Sequence, residues 1–434
     1  MTMQSVEENQ GKDGGKFWLF LMLLVSLVYL MSNMQKTVIP GCLFDILQID
    51  FDAHPSQIAA LTSVFMIAYA SMQLLMGPLT ARYEPLAITL WGTPFICVGA
   101  VALPFCHQLL LVYACRVLIA IGCSCVTTSI ILGTVRIFPQ SHTMKIAVFM
   151  LIGYAGNVLG GAPSLHAARL LGWRTLLESL AIITVLLYLL WAVLLRWKAP
   201  VQKQSVAASK GPVLDFSVFL KVLKNPQNLC LFCNTPISYS VFFCYSVVIG
   251  PKFLQDYCRL EETQVGIAAS AMQFVGCVSG IVFAAINRKM GGNSTAFLQK
   301  FSASVFFTCQ IGMAIIMFFG IRSAIPFVVC FLALAAISNM ASIGICLLSR
   351  HNSETLLGTA FSVWNFITYA NVSLFGYICG LILNRFPPDT VAGVQVYSRE
   401  AYLTIFILFA FLAIPVLLAT LCLREFPKQK HSTT

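Results

Sequence analysis

The chain contains twelve stretches of mostly apolar residues, and these constrain its fold more than any other feature. A helix needs about 20 such residues to cross the hydrocarbon core of a bilayer. The chain is 58% hydrophobic and 10% charged, whereas a soluble domain is about 25% charged. It has too few charges to cover a water-facing surface, so lipid must surround most of it. The predicted spans are 17–41, 56–81, 85–103, 108–135, 146–166, 174–195, 226–250, 262–286, 296–320, 323–348, 355–384 and 399–423.

The basic residues are distributed unevenly over the predicted loops. Of the 27 Lys and Arg residues, eighteen lie on the side of the two termini and seven on the other side, while Lys36 and Arg116 fall within spans. Cytoplasmic loops of membrane proteins collect Lys and Arg, so both termini are predicted to be cytoplasmic. The same distribution accounts for the net charge of +11, and no nucleic-acid partner is predicted.

The longest polar stretch divides the spans into two sets of six. The apolar spacing within residues 215–224 of this stretch predicts a short amphipathic helix on the cytoplasmic surface. The predicted organisation is a tail (1–16), a six-helix bundle (17–196), a linker (197–225), a second six-helix bundle (226–423) and a tail (424–434). An all-α membrane protein of two such bundles is typical of transporters, which bind substrate near the midplane between the repeats.

Five short motifs lie at defined places on these spans. They are found in the loop after span two, in the matching loop of the second half, and in spans four, five and eleven. Their residues are Gly77-x-Leu79-x2-Arg82; Arg288-x2-Gly291; Arg116-x5-Gly122; Gly153-x2-Gly156-x3-Gly160-Gly161-x-Pro163; and Asn365-Phe366 with Gly376 and Gly380. In this order on twelve spans, the motifs resemble those of the major facilitator superfamily over nearly the whole chain. Tyr69-Ala-Ser-Met-Gln73 in span two is similar to its organic-anion branches.

The resemblance implies two bundles that rock about a central site. In this family the loop after the second helix forms a charge-paired latch on the inner side, which implies gating roles for Gly77, Arg82 and Arg288. The acid of that latch is replaced by Ala81 in the first half and by Asn287 in the second. The resemblance therefore predicts the fold together with a weak latch.

Two cations within spans need an explanation, because an ionisable side chain there costs about 3 kcal/mol. Lys36 either faces the cavity or extends to the outer headgroups, and Arg116 either faces the cavity or bonds to backbone carbonyls. The acids fall in loops or at span ends, except Glu178, which is predicted to pair with Arg174 one turn earlier. Two cations without a counter-acid favour an anionic substrate.

Uncharged polar and aromatic residues near the midplane complete the predicted site. Each of them either contacts substrate or bonds between helices. The candidates are Asn157, Tyr239, Tyr245, Gln273, Asn339, Trp364 and Asn365. His166 in span five is the candidate coupling residue, because histidine changes its charge near neutral pH; the alternative is a packing role.

These observations lead to the hypothesis of a secondary active transporter that takes up a small organic anion by alternating access. Symport with protons is one form of it, and a monomer in a bacterial inner membrane or a plasma membrane is expected. An exporter of drugs or metabolites, or a receptor that does not transport, remain alternatives. No enzyme activity is predicted, because no nucleophile–base set or phosphate loop is present. No cofactor or metal is predicted either: Cys230 and Cys233 form a CxxC without a second pair.

Overall fold

The computed structural model describes residues 3–138, 142–198, 216–290, 294–338, 340–387, 389–391 and 394–425. In this part of the chain, seventeen α-helices account for almost all residues. Those of the first half are α1 (Met3–Val38), α2 (Phe44–Asp50), α3 (Pro55–Arg82), α4 (Pro85–Ala102), α5 (Leu109–Ile137), α6 (His142–Leu159), α7 (Ala162–Leu171) and α8 (Trp173–Lys198). Those of the second half are α9 (Phe216–Lys224), α10 (Pro226–Phe243), α11 (Gly250–Asp256), α12 (Glu262–Lys289), α13 (Thr295–Phe318), α14 (Ala324–Ser338), α15 (Ala341–His351), α16 (Glu354–Arg385) and α17 (Arg399–Leu421).

Twelve membrane spans can be assigned within the described ranges. Ten helices are each long and apolar enough to cross a bilayer, and two bent pairs supply one span each. The pairs are α6 with α7, bent by 48°, and α14 with α15, bent by 41°. The predicted fold of two six-helix bundles is confirmed. The start of the first span and the end of the last lie on one side, here called the inner side, because the number of spans is even.

Each bundle has its own hydrophobic core. The first core draws its buried residues from α1 to α8 and is joined by Phe243, Val247 and Val372 of the second half. The second core draws on helices from α10 to α17. Because most of each core belongs to one half of the chain, the bundles are separate packing units that meet along a shared face.

The first span of each bundle ends in a turn of π-helix at the outer side. These turns are Ile39–Leu43 and Cys244–Val248, and they contact each other. The first turn contains the pair Pro40-Gly41, and the second is followed by the pair Gly250-Pro251. Proline has no N–H to donate, so the carbonyls before it need other donors.

Span five packs on span one through glycines. A Cβ at Gly153 would overlap the ring of Tyr29, and one at Gly156 would overlap the carbonyl oxygen of Leu30. Small residues at helix contacts in lipid allow such close approach, and the attraction then comes from van der Waals packing. The glycine motif of span five is therefore a packing surface for α1.

Two smaller elements lie outside the spans. In α9, Phe219 and Val222 are buried against Leu231 and Phe232 of α10. The loop between α16 and α17 carries a short antiparallel pair, β1 (Asp389–Val391) and β2 (Val394–Val396). Sequence reasoning did not predict these strands, because three residues are too few to show the alternation of a strand.

Candidate functional site

Lys36 lies at the interface between the two bundles. The residue is 4% exposed, and its Nζ is 5.9 Å from the centroid of the Tyr369 ring on α16. Helical side chains tilt toward the N-terminus of their helix, and in α1 that direction leads from the outer end toward the middle of the membrane. Lys36 thus extends inward to the interface and not outward to the headgroups.

Among the residues that the structure describes, no carboxylate pairs with Lys36. Within the described ranges its ammonium forms no salt bridge, and it lies over the ring of Tyr369. A buried charge without a partner carries a desolvation cost of several kcal/mol. Lys36 is therefore a buried cation without a salt-bridge partner among the described residues.

The ion-pair partner of Arg174 differs from the predicted one. Arg174 Nη2 pairs with Asp50 Oδ2 at 2.8 Å, and not with Glu178. Asp50 ends α2 and Arg174 begins α8, so the pair joins the outer ends of the first and sixth spans. The pair is partly exposed to solvent, whereas Lys36 is buried.

Arg116 holds the backbone that carries Lys36. It is fully buried; its Nη1 donates to Gln35 O at 2.7 Å and its Nη2 to Lys36 O at 3.4 Å. Its guanidinium carbon lies 4.2 Å from the centroid of the Phe65 ring. The usual helical donor to Lys36 O is the N–H of residue 40, and Pro40 has none. Arg116 supplies the missing donor.

Tyrosines from both bundles meet beside Lys36. Tyr69 of α3 contacts Tyr369 edge to face, with ring centroids 4.4 Å apart. Tyr239 of α10 contacts the same ring at 6.1 Å, again edge to face. The Tyr69 hydroxyl shares a hydrogen bond with Thr127 Oγ1 at 3.1 Å. Lys36, Tyr69, Tyr239 and Tyr369 are called the central cluster below.

A small cleft lies on the outer side of the central cluster. Its lining includes Thr37, Asn157, Ser246 and Gln273, and its volume is about 30 Å³. Gln273 Nε2 donates to Ser246 Oγ at 3.1 Å, while Asn157 Oδ1 is buried without a partner. The volume suits one or two waters, so an organic substrate would need the bundles to separate.

On the inner side of the central cluster, spans two and eleven stay in contact. Asn365 Nδ2 donates to Gln73 Oε1 at 3.4 Å, and Thr128 Oγ1 donates to the same oxygen at 3.2 Å. One turn further inward, a Cβ at Gly77 would lie 2.5 Å from Ser362 Oγ. Gly77 therefore sits where the two bundles touch.

Two predicted binding residues are packed inside the second bundle. Tyr245 is buried in its core, where its hydroxyl donates to Gln310 Oε1 at 2.9 Å. Trp364 belongs to an apolar cluster near the inner side and packs on Gly344 of α15. Neither side chain is part of the central cluster.

The remaining predicted site residues either lie away from the bundle interface or fall outside the residues that the structure describes. His166 is exposed on α7, and Arg288 is exposed at the end of α12, where it forms no ion pair in the described part of the chain. Asn339 and the side chain of Arg82 lie outside the described residues.

The inner end of the first bundle has an ion pair that the loop motif did not indicate. Arg136 Nη1 pairs with Glu84 Oε2 at 3.3 Å, and Arg136 Nη2 donates to Thr80 O at 3.1 Å. Arg136 ends α5, while Glu84 precedes α4. Glu84 thus supplies an acid close to the position where Ala81 replaces the one expected.

The inner end of the second bundle is joined by Glu425, which follows α17. Its Oε1 pairs with Arg350 Nη1 at 2.7 Å and accepts from the N–H and hydroxyl of Thr295. Its Oε2 accepts from Ala296 N. This carboxylate therefore joins the end of α15, the start of α13 and the end of α17. Sequence reasoning missed Glu425 because it lies in no motif.

Tyr69 and Tyr369 were also missed as candidate site residues. Tyr69 stands in the motif Tyr69-Ala-Ser-Met-Gln73, which was the available signal. For Tyr369 no signal exists, since span eleven carries aromatic residues on several faces.

Comparison with known proteins gives two findings. A family model described as Major Facilitator Superfamily matches residues 21–376. Among solved structures, the crystal structure of a bacterial homologue of the iron transporter ferroportin in an outward-facing state matches with a TM-score of 0.68 and 15% identity. The match covers 93% of this chain and 98% of that one. At this identity the likeness concerns the fold alone. Comparison with curated protein sequences gave no match.

Proposed function

The chain belongs to the major facilitator superfamily, and from this premise we propose that it moves a small organic anion by secondary active transport. The family and the fold support a multi-pass membrane transporter. In the proposal, rocking of the two bundles exposes the central cluster to each side in turn. Cytoplasmic termini, supported by the distribution of basic residues, and uptake are further parts of the proposal.

The observation that carries the proposal is the buried, unbalanced charge of Lys36. Two unit charges 4 Å apart attract by about 4 kcal/mol at an effective dielectric of 20, against about 1 kcal/mol in water. An anion at Lys36 would gain this attraction and remove an unpaired buried charge. A cation would be repelled by the same group.

The two cations have different roles in this proposal. The Lys36 ammonium forms no hydrogen bond within the described ranges and is the group that binds the anion. Arg116 is a positioning residue, because its Nη1 and Nη2 each donate to a backbone carbonyl of α1. Asn157 and Gln273 supply polar groups on the outer side of the bound anion.

A binding titration tests the proposal. Purified protein in nanodiscs is titrated with small carboxylates and with their neutral amides, for example benzoate against benzamide. We expect a carboxylate to bind at least roughly tenfold more tightly than its amide. Lys36→Gln should weaken carboxylate binding by roughly tenfold or more and leave amide binding unchanged. Lys289→Gln, which removes an exposed cation at the inner end of α12, is the matched control. Wild-type carboxylate affinity in a folded Lys36→Gln variant would overturn the proposal.

Flux separates a transporter from a receptor. Proteoliposomes loaded with the best-bound carboxylate should accumulate labelled carboxylate by counterflow, and Lys36→Gln liposomes should not. Binding without counterflow in the wild type would assign the protein a sensing role instead.

A further inference from the structure

The rings of the central cluster converge on one partner. Tyr69 and Tyr239 both direct edge-to-face contacts at Tyr369, with interplanar angles of 69° and 76°. The same Tyr369 ring lies below the Lys36 ammonium. A positive charge and two ring contacts are thus concentrated around a single aromatic side chain.

The two sides of this arrangement belong to different bundles. Lys36 and Tyr69 lie on α1 and α3 of the first bundle, whereas Tyr239 and Tyr369 lie on α10 and α16 of the second. When the bundles separate, Tyr69 loses its ring partner, and Lys36 loses the ring beneath its ammonium. The opened space is then bordered by a cation and a ring on one side and by two rings on the other.

We infer that the site selects aromatic carboxylates over aliphatic ones, an inference that rests on the proposed function. The carboxylate binds Lys36, and the ring lies between Tyr69 and Tyr369. There it restores the edge-to-face contact that separation of the bundles breaks. An aliphatic ring of the same size would gain burial but no edge-to-face contact, since it lacks the quadrupole of an aromatic ring.

Benzoate and cyclohexanecarboxylate form a matched pair of probes. They have the same charge and carbon count and differ in whether the ring is aromatic. Two aromatic contacts correspond to a roughly tenfold preference. We therefore expect the full-length protein in nanodiscs to bind benzoate about tenfold more tightly than cyclohexanecarboxylate.

Five variants assign the preference to particular side chains. Tyr369→Leu should bring the affinity ratio close to one, mainly by weakening benzoate binding, while Tyr369→Phe keeps the ring and the ratio. Lys36→Gln should weaken both acids equally and preserve the ratio. Tyr377→Leu is the control, because Tyr377 lies on the same helix and is 59% exposed. Should Tyr369→Leu fail to fold, Tyr69→Leu tests the same contact.

The outcomes distinguish this inference from the function on which it rests. A wild-type ratio close to one overturns the aromatic preference but leaves anion transport standing. So does a tenfold ratio that persists in both Tyr369→Leu and Tyr69→Leu. If no carboxylate binds, or if Lys36→Gln keeps full affinity, the anion proposal itself fails.

Discussion

The two bundles share one order of helices, but different contacts hold their helices together. In the first bundle two contacts of the first span involve its backbone: Arg116 donates to carbonyls of α1, and Gly156 lets α6 approach the Leu30 carbonyl. In the second bundle they involve rings. Tyr245 stacks on Phe331 and Phe406 with centroid distances of 4.9 and 5.5 Å.

The outer loops after the first span of each bundle are much more alike. Each contains a non-glycine residue with positive φ, Asp52 in the first and Arg259 in the second. In each, the residue just before the next helix donates its N–H to a glutamine Oε1 three residues later, at Gln57 and Gln264. The two halves therefore repeat a loop design while their interiors diverge.

This divergence has a consequence for the interface. The π turn of the second bundle is closed by its own backbone, through Ile249 N donating to Cys244 O at 2.9 Å. The π turn of the first bundle is preceded by a carbonyl, Lys36 O, that Pro40 leaves without its helical donor, and there the guanidinium of Arg116 donates. The first bundle thus supplies the cation of the central cluster, and the second supplies two of its three rings.

The largest expected effect concerns the glycines of spans five and eleven. Gly156→Ala should lower the free energy of unfolding by about 3 kcal/mol, because the new methyl group overlaps a backbone oxygen that cannot rotate away. Gly376→Ala on α16 meets no atom within 4 Å and should stabilise the helix by up to about 1 kcal/mol. Thermal unfolding in detergent measures both. Equal effects of the two substitutions would contradict the contrast between a tightly packed glycine in the first bundle and an unpacked one in the second.

Arg116→Met should have the next largest effect and lower the free energy of unfolding by about 2 kcal/mol. The loss of two hydrogen bonds from a charged donor is partly offset because a buried charge is also removed. Stability of the variant is best compared with that of Lys36→Met, which removes a cation but no hydrogen bond.

Arg116→Met should lower the free energy of unfolding by a smaller amount when residue 40 has a backbone N–H to donate. In a Pro40→Ala background, the new N–H can bond to Lys36 O, so Arg116→Met should lose about 1 kcal/mol less than in the wild type. A double-mutant cycle of unfolding free energies measures this coupling. Additive effects would show that Arg116 does not serve the carbonyl freed by the proline.

The smallest effects concern the inner ends of the bundles. Glu425→Gln should cost about 1 kcal/mol, because this carboxylate accepts from Arg350 and from the start of α13. Glu84→Gln should change stability by less than about 0.5 kcal/mol, because its pair with Arg136 is more than one-third exposed and exposed pairs contribute little. Thermal unfolding at low and high salt checks the order, and a larger loss for Glu84→Gln would reverse it.

The sequence alone determined the twelve spans, the two six-helix bundles and the family. These follow from local properties, namely the length of each apolar run and the spacing of short motifs within it. The glycine stripe of span five likewise indicated a helix contact before its partner was known. Where a span, a loop or the linker begins and ends along the chain is set by nearby residues and does not depend on distant ones.

Only the tertiary structure decided which polar residues meet. Residues that face lipid and residues that face another helix are both apolar, so hydropathy does not reveal how a span is rotated. Tyr245 and Tyr239 stand less than two turns apart on span seven, yet one is packed in the second core and the other reaches the central cluster. Tyr369 meets Lys36 only because spans one and eleven pack across the bundle interface. Such a contact depends on helix rotation and on the position of a distant neighbour, and neither property is written in the local sequence.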